Sequence, residues 1–360
     1  MGNRNSTADL ADYRNYTGRK SAALLLMAVL TLFLALLSMK AGSAGLSVGE
    51  IFEALAGRGS TQAVTIIRNI RLPRLAAAVV VGCALSASGC VMQNVMRNPL
   101  ASASTLGVSQ GASFGAALSI IYFGAGTQIN TGSGNASSLT ITHPLMVTVF
   151  AFLGGMATTA LILFLSSLRG MTHSVMVLAG VAISAMFTGA TTLVQYFADD
   201  VMVATVVHWT FGNLGRAGWG EIGLISLAVL CAFLFFVFFR WDYNAIEAGA
   251  HTAKSLGVRV ELLVPVSMVF CALIASVSVA FVGCINFIGL IASHIMRRFV
   301  GNDMRFLLPG SMLCGASLLI ASDIACRTLA SPAVLPIGAL TSFLGAPLFL
   351  FLIIRRGSVR

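Results

Sequence analysis

The chain has 360 residues, of which 57% are hydrophobic and only 9% charged, where a soluble domain carries about 25% charged residues. Its formal net charge of +10 would suit a nucleic-acid binder, but the basic residues lie between long apolar runs and their distribution follows membrane topology, so no nucleic-acid partner is expected. Crossing a bilayer takes roughly 20 apolar residues in a helix, and the absence of water there forces every backbone group to pair internally. The composition therefore predicts an all-α polytopic membrane protein with no separate soluble domain.

Residues 1–20 form a polar tail without the short basic start and small-residue cleavage site of a secretory signal, so the first apolar span, 21–39, reads as a retained helix. A polar segment, Lys40–Arg74, follows, and then spans at 75–96 and 100–123. The next segment, Gly124–Thr142, is uncharged and rich in Gly, Ser, Thr and Asn, which predicts a solvated loop. Spans at 144–168, 175–197 and 219–239 lead to Trp241–Glu261, a polar stretch that still has helix-forming content. Its alanines and Leu256 predict two short helices broken near Gly249. It is read either as a plain loop or as a docking element for a cytosolic partner. The last spans are 262–283, 285–300, 306–326 and 336–354, which makes ten.

With the N-terminus in the cytoplasm and ten alternating crossings, 15 Lys and Arg fall inside and 7 outside, in keeping with the positive-inside rule. Most of the seven lie in Lys40–Arg74, an excess that asks for its own cause. Gly82/Gly89 and Gly107/Gly111/Gly115 recur at helical spacing, which predicts close helix packing in lipid. Val80–Pro99 and Ile274–His294 share a small-residue helix followed by a polar break and run in opposite directions, the pattern of an inverted repeat.

No phosphate-binding G-x-x-x-x-G-K-[ST] occurs, nor G-x-S-x-G, H-E-x-x-H or any paired-cysteine pattern. The seven cysteines sit in or beside apolar spans and read as packing residues, without a metal site. The five histidines are scattered. No catalytic residues, no metal ligands and no cofactor are expected in this chain, so it is not read as an enzyme. Acidic residues lie almost all in loops, which argues against a proton or sodium relay. Asp323 is the exception and sits four residues before Arg327, a spacing that predicts an ion pair on one helix face. A transporter without its own nucleotide site or ion relay takes its energy from a separate ATPase chain.

The run Arg71-Leu72-Pro73-Arg74 and the sequence onward to Leu118 resemble the FecCD-type permeases of type II ABC importers, which take up ferric siderophores, haem and cobalamin. LAGVAIS at Leu178–Ser184, AKSLGV at Ala253–Val258, Phe287–Gly310 and Leu335–Ile353 extend the resemblance over residues 21–356. It implies ten transmembrane helices with an inverted repeat of helices two to five and seven to ten, multi-pass in the cell membrane with both termini cytoplasmic. It also implies a second permease copy or paralogue, two cytosolic ATPase subunits, an external substrate-binding protein and a lipid surround. Residue by residue, it implies binding-protein docking at Arg71, Arg74 and Arg327, and ATPase coupling through 241–261, at Asn244, Glu247, Gly249, Lys254 and Leu256. A cytoplasmic gate is implied at Asn98, Leu100, His173 and Ser174. The chain departs from the family at Ser102, Ala103 and Ser104, where an acid and a second proline are usual, and at Ser293 and Val334. The expected function is the permease subunit of an importer for an iron chelate, a ferric siderophore or haem. Cobalamin is the alternative cargo, and a secondary transporter the rival class.

Overall fold

The computed structural model describes residues 3–42, 45–130, 137–169, 173–331 and 333–357. Among them, seven helices are long and apolar enough to cross a membrane. The first, α1 (Asn3–Lys40), begins well before the expected span: the polar tail is helical and continuous with the apolar part. At about 1.5 Å per residue, its 38 residues exceed a bilayer core of about 30 Å. Leu25, Leu26, Leu32, Phe33 and Leu36 are exposed on it, as a lipid-facing surface requires.

The polar segment Lys40–Arg74 is mostly helical. Helix α2 (Val48–Leu55) opens with a capping box in which the Ser47 N–H donates to Glu50 Oε2 at 2.7 Å and the Glu50 N–H donates to Ser47 Oγ at 3.3 Å. These bonds hold the exposed Glu50 carboxyl below the usual range. Next come α3 (Thr61–Val64), a π-helical turn over Thr65–Arg71 and α4 (Leu72–Val95), which form one 35-residue rod. Pro73 accounts for the turn: it lacks an N–H to continue the α-helical ladder, and the Leu72 N–H reaches back five residues to Ile67 O.

Helix α5 (Val108–Tyr122) starts later than the expected span at residue 100. Gly124–Thr142 is not a plain loop, because β1 (Gly126–Asn130) and β2 (Ser137–Ile141) pair antiparallel with Gly126 opposite Ile141. Then follow α6 (Pro144–Arg169), α7 (His173–Tyr196), α8 (Asp200–Thr210) and α9 (Trp219–Phe238). The polar stretch holds α10 (Arg240–Ala248) and α11 (Ala250–Ser255) with Gly249 between them, as its composition predicted. The chain closes with α12 (Val260–Val282), α13 (Ile288–Val300), α14 (Met304–Thr328) and α15 (Ile337–Gly357). Of the ten expected spans, three fall on helices shorter in apolar length than the other seven: α5, α13 and the Ile337–Phe351 part of α15.

The core forms around α4, which packs on α14, α12, α13 and α9, while α5 packs on α6 and α7, α6 on α12, and α1 on α14. The glycines make these approaches possible. A Cβ on Gly82 would stand 2.6 Å from Gly315 O, one on Gly89 2.6 Å from Gly289 O, and one on Gly154 2.1 Å from Gly111 O. Lipid supplies no hydrophobic drive between helices, so such backbone contact sustains their packing.

Candidate functional site

Three regions outside the apolar packing carry polar chemistry. The first is at the expected outer end, where α1 stops and α4 begins. Asp323, 1% exposed, accepts from Arg74 Nε at 2.7 Å and pairs through its other oxygen with Arg327 Nε at 2.9 Å. The predicted Asp323–Arg327 pair is there, and α4 adds a second arginine to it. Arg327 also donates to Ser38 Oγ at 2.7 Å and Ala41 O at 3.0 Å, and the buried Arg71 donates to Met39 O at 2.6 Å. The last carbonyls of a helix have no partner within it and attract cations. Arg71 and Arg327 therefore cap α1, and all three arginines expected at a docking surface are engaged inside the fold.

The second region is the expected cytoplasmic end. Glu247 on α10 accepts from Asn302 at 2.9 Å and from Asn94 at the end of α4 at 3.3 Å, and lies 3.8 Å from Arg297 of α13. Arg297 continues to Gln93 Oε1 at 3.2 Å. Asn244 accepts from the Met304 N–H at 2.9 Å and donates to Asp303 at 3.1 Å. Burial works to raise the Asp303 pKa, but hydrogen bonds from Arg305 and Asn244 outweigh it and hold the carboxyl low. Tyr243, fully buried, ties α10 to α12 through Ser267 Oγ at 2.7 Å, and burial pushes its phenol far up. Two of the expected coupling residues, Asn244 and Glu247, thus point into the bundle. Lys254 and Leu256 are exposed, and Lys254 pairs with Glu261. Gly249 has φ 137° and ψ 145°, a conformation that L side chains rarely adopt.

The third region is the turn after α4. Arg97 takes a positive φ of 47°, and Asn98 Oδ1 accepts the Leu100 N–H at 2.9 Å. Leu100 is 40% exposed. Where an acid and a second proline were expected, this turn carries hydroxyl side chains that bond one another and the backbone. Thr105 Oγ1 accepts the Ser102 N–H at 2.9 Å and donates to Leu100 O at 2.9 Å, and Ser102 Oγ lies 3.1 Å from Ser104 Oγ. The side chains of the other two expected gate residues, His173 and Ser174, lie outside the described residues.

Sequence reasoning missed Gln93, Asn94, Arg297 and Asn302. The first three interrupt apolar runs at helix ends, and a polar residue inside such a run is the signal that could have found them. Among the described residues, no group of three His, Cys, Asp or Glu side chains is placed to hold a metal.

The FecCD transport family matches residues 30–355. An ABC transporter permease protein of Methanocaldococcus jannaschii is 47% identical over 95% of this chain and 97% of its own. The hemin transport system permease protein HmuU of Yersinia pestis is 35% identical over 95% and 99%, and the vitamin B12 import system permease protein BtuC of Escherichia coli 34% over 93% and 95%. A solved structure described as an inward-facing conformation of a metal-chelate type ABC transporter superposes with a TM-score of 0.77 at 27% identity, over 93% of this chain and 99% of that one.

Proposed function

This chain belongs to the FecCD transport family of ABC permeases, and from that premise we propose that it is the membrane subunit of an importer that moves an iron chelate by alternating access. The observation that carries the mechanism is the reach of α10. Glu247 and Asn244 join that helix to the ends of α4, α13 and α14, so a push on α10 from a cytosolic ATPase acts directly on the helix that leads into the Asn98–Leu100 turn. The chain hydrolyses nothing itself. Two ATPase subunits engage α10 and α11, a second permease copy completes the path, and Asn98, Leu100, His173 and Ser174 form the inner gate. Cysteines at Leu100 and His173 should react with thiol reagents differently with and without nucleotide; equal reactivity in both states counts against the gate.

Ten crossings and cytoplasmic termini follow if α5, α13 and α15 cross as shorter helices. Two features support the inverted repeat. Helix α4 packs on α14 as α12 packs on α6, which exchanges first and third helices between the halves. Helices α5 and α13 also both start from a left-handed residue, Gly107 at φ 88° and Phe287 at φ 67°. At the outer end, Arg71, Arg74 and Arg327 carry three positive charges against the single carboxylate of Asp323, which pairs with two of them, and the excess would steer an acidic binding protein. Association should therefore slow as salt rises, and a salt-independent rate would remove that role.

The test is co-reconstitution in proteoliposomes with the cognate ATPase and binding protein. Accumulation of a radiolabelled ferric chelate that requires ATP supports the importer. Accumulation driven by a proton or sodium gradient without ATP favours the secondary transporter instead.

A further inference from the structure

Between the end of α9 and the start of α12, at the expected cytoplasmic end, lies a cavity of about 430 Å³. Phe235, Leu262, Leu263 and Val266 supply much of its apolar wall, and Asp242 and Arg259 are the two charged residues that line it. Arg259 is the N-cap of α12 and Val266 stands seven residues further on, so the wall runs about 10 Å along the helix away from the arginine. The Phe235 side of the wall is braced from behind, because its ring stacks on Phe270 with centroids 4.4 Å apart. Leu234, Phe238 and Leu262 are exposed on the same two helices, so the cavity opens beside a lipid-facing surface.

The two charges at its mouth are left over from the local pairing. Lys254 pairs with Glu261, and Arg240 donates to Val237 O at 3.1 Å and lies over the Trp241 ring. Among the described residues, the side chains of Asp242 and Arg259 form no hydrogen bond and no ion pair, with each other or with anything else. Asp242 is half-buried and Arg259 exposed. A charge at the edge of an apolar wall gains from a partner, because that wall does not solvate it. An apolar slot open to lipid, with one cation and one anion at its mouth, is complementary to an amphiphile whose head carries both signs.

We propose that this cavity binds a phospholipid with a phosphoethanolamine headgroup. Its phosphate sits on the Arg259 guanidinium, which offers forked N–H donors. Its ammonium donates to the Asp242 carboxylate, and one acyl chain runs along Phe235, Leu262 and Val266. A phosphatidylglycerol head has no cation and sets a second negative charge against Asp242. Phosphatidylcholine has a cation without an N–H and forfeits the hydrogen bond. The proposal goes beyond the importer reading and needs only that the chain sits in a bilayer. A lipid so bound ties the ends of α9 and α12 together at the place where α10 and α11 leave the bundle.

Native mass spectrometry tests this on the full-length chain, purified in detergent, stripped of lipid and given phosphatidylethanolamine, phosphatidylglycerol and phosphatidylcholine with the same acyl chains. The first lipid retained should be phosphatidylethanolamine, by about tenfold over phosphatidylglycerol, the ratio expected for one charge-assisted hydrogen bond. Asp242→Asn should remove most of that preference, and Glu53→Gln, at an exposed position outside the cavity, should leave it intact. Arg259→Gln should weaken retention of all three lipids. Neither Asp242 nor Arg259 holds another part of the fold through its side chain, so both variants should melt with the wild type. Glycerophosphoethanolamine, the headgroup without acyl chains, should not displace the lipid. Equal retention of phosphatidylethanolamine and phosphatidylglycerol, the same response to Asp242→Asn and Glu53→Gln, or displacement by the bare headgroup overturns the proposal. The importer reading fails separately, through uptake without ATP in proteoliposomes, and that result leaves the lipid measurement as it stands.

Discussion

Asp323 shows what a single residue can hold. Its carboxylate is buried between two arginines from two helices, and one of those arginines also caps α1. Removing one partner of a buried pair leaves uncompensated charge and costs about 3–5 kcal/mol. Asp323→Ala should therefore lower the melting temperature in detergent sharply, while Glu53→Ala, at an exposed position, should shift stability by no more than about 0.5 kcal/mol. Equal melting of the two variants would remove the structural role of the triad. Asp303 makes a pH-dependent prediction at the same scale. Its folded pKa lies below the ordinary 3.8, so the stability it contributes is complete above that value and is lost as the pH falls through the folded pKa. Asparagine caps a helix as well as aspartate does, which makes Asp303→Asn a probe of the charge alone. The melting difference between wild type and Asp303→Asn should be constant at neutral pH and disappear in acid. A difference that persists unchanged below 3.8 would show that the charge contributes nothing.

Among the elements, the small residues decide how close helices come. Gly111 of α5 and Gly154 of α6 face each other so closely that a methyl group on Gly154 would overlap Gly111 O. Gly154→Ala must push the two helices apart, and overpacking of this kind costs about 1–3 kcal/mol. Gly189→Ala on α7 is the comparison, because a Cβ there meets nothing within 4 Å. Alanine is the better helix former, so that variant should be neutral or stabilising. Thermal unfolding of the two variants decides it, and equal loss in both would contradict the packing. The glycine spacing was legible in the sequence because helical periodicity is local. The true start of α5 was not. An apolar count runs straight through Ala101 and Ala103, whereas the chain there folds into a turn of hydroxyl bonds that ends at the left-handed Gly107. The pairing of Gly126–Asn130 with Ser137–Ile141 was hidden because the composition of these segments, rich in Gly, Ser, Thr and Asn, resembles that of a loop.

At the scale of the whole molecule, the proposed function requires that energy from a cytosolic ATPase reach the path through α10. Glu247→Gln keeps the shape of the side chain but weakens the charge-assisted bonds it accepts from Asn302 and Asn94 and removes its ion pair with Arg297. This variant should still bind the ATPase, and its ATP hydrolysis should continue while uptake falls. Gly249→Pro should have the stronger effect, since proline fixes φ near −65° and Gly249 sits at 137°. Normal uptake per ATP hydrolysed by both variants would detach α10 from coupling.

Hydropathy along the sequence was enough to determine that this is a helical membrane protein, where its main apolar spans lie, and that the Trp241–Glu261 stretch breaks at Gly249. Those properties depend on composition and on neighbours a few residues apart. The RLPR segment and the later motifs also identified its family. Only the tertiary structure decided what the polar residues do. Arg74 and Asp323 are 249 positions apart and Asn94 and Glu247 are 153 apart. No periodicity links such residues. They meet because close glycine packing brings distant helices together, and inside that packing each charge or amide has to find its partner wherever the fold has placed one.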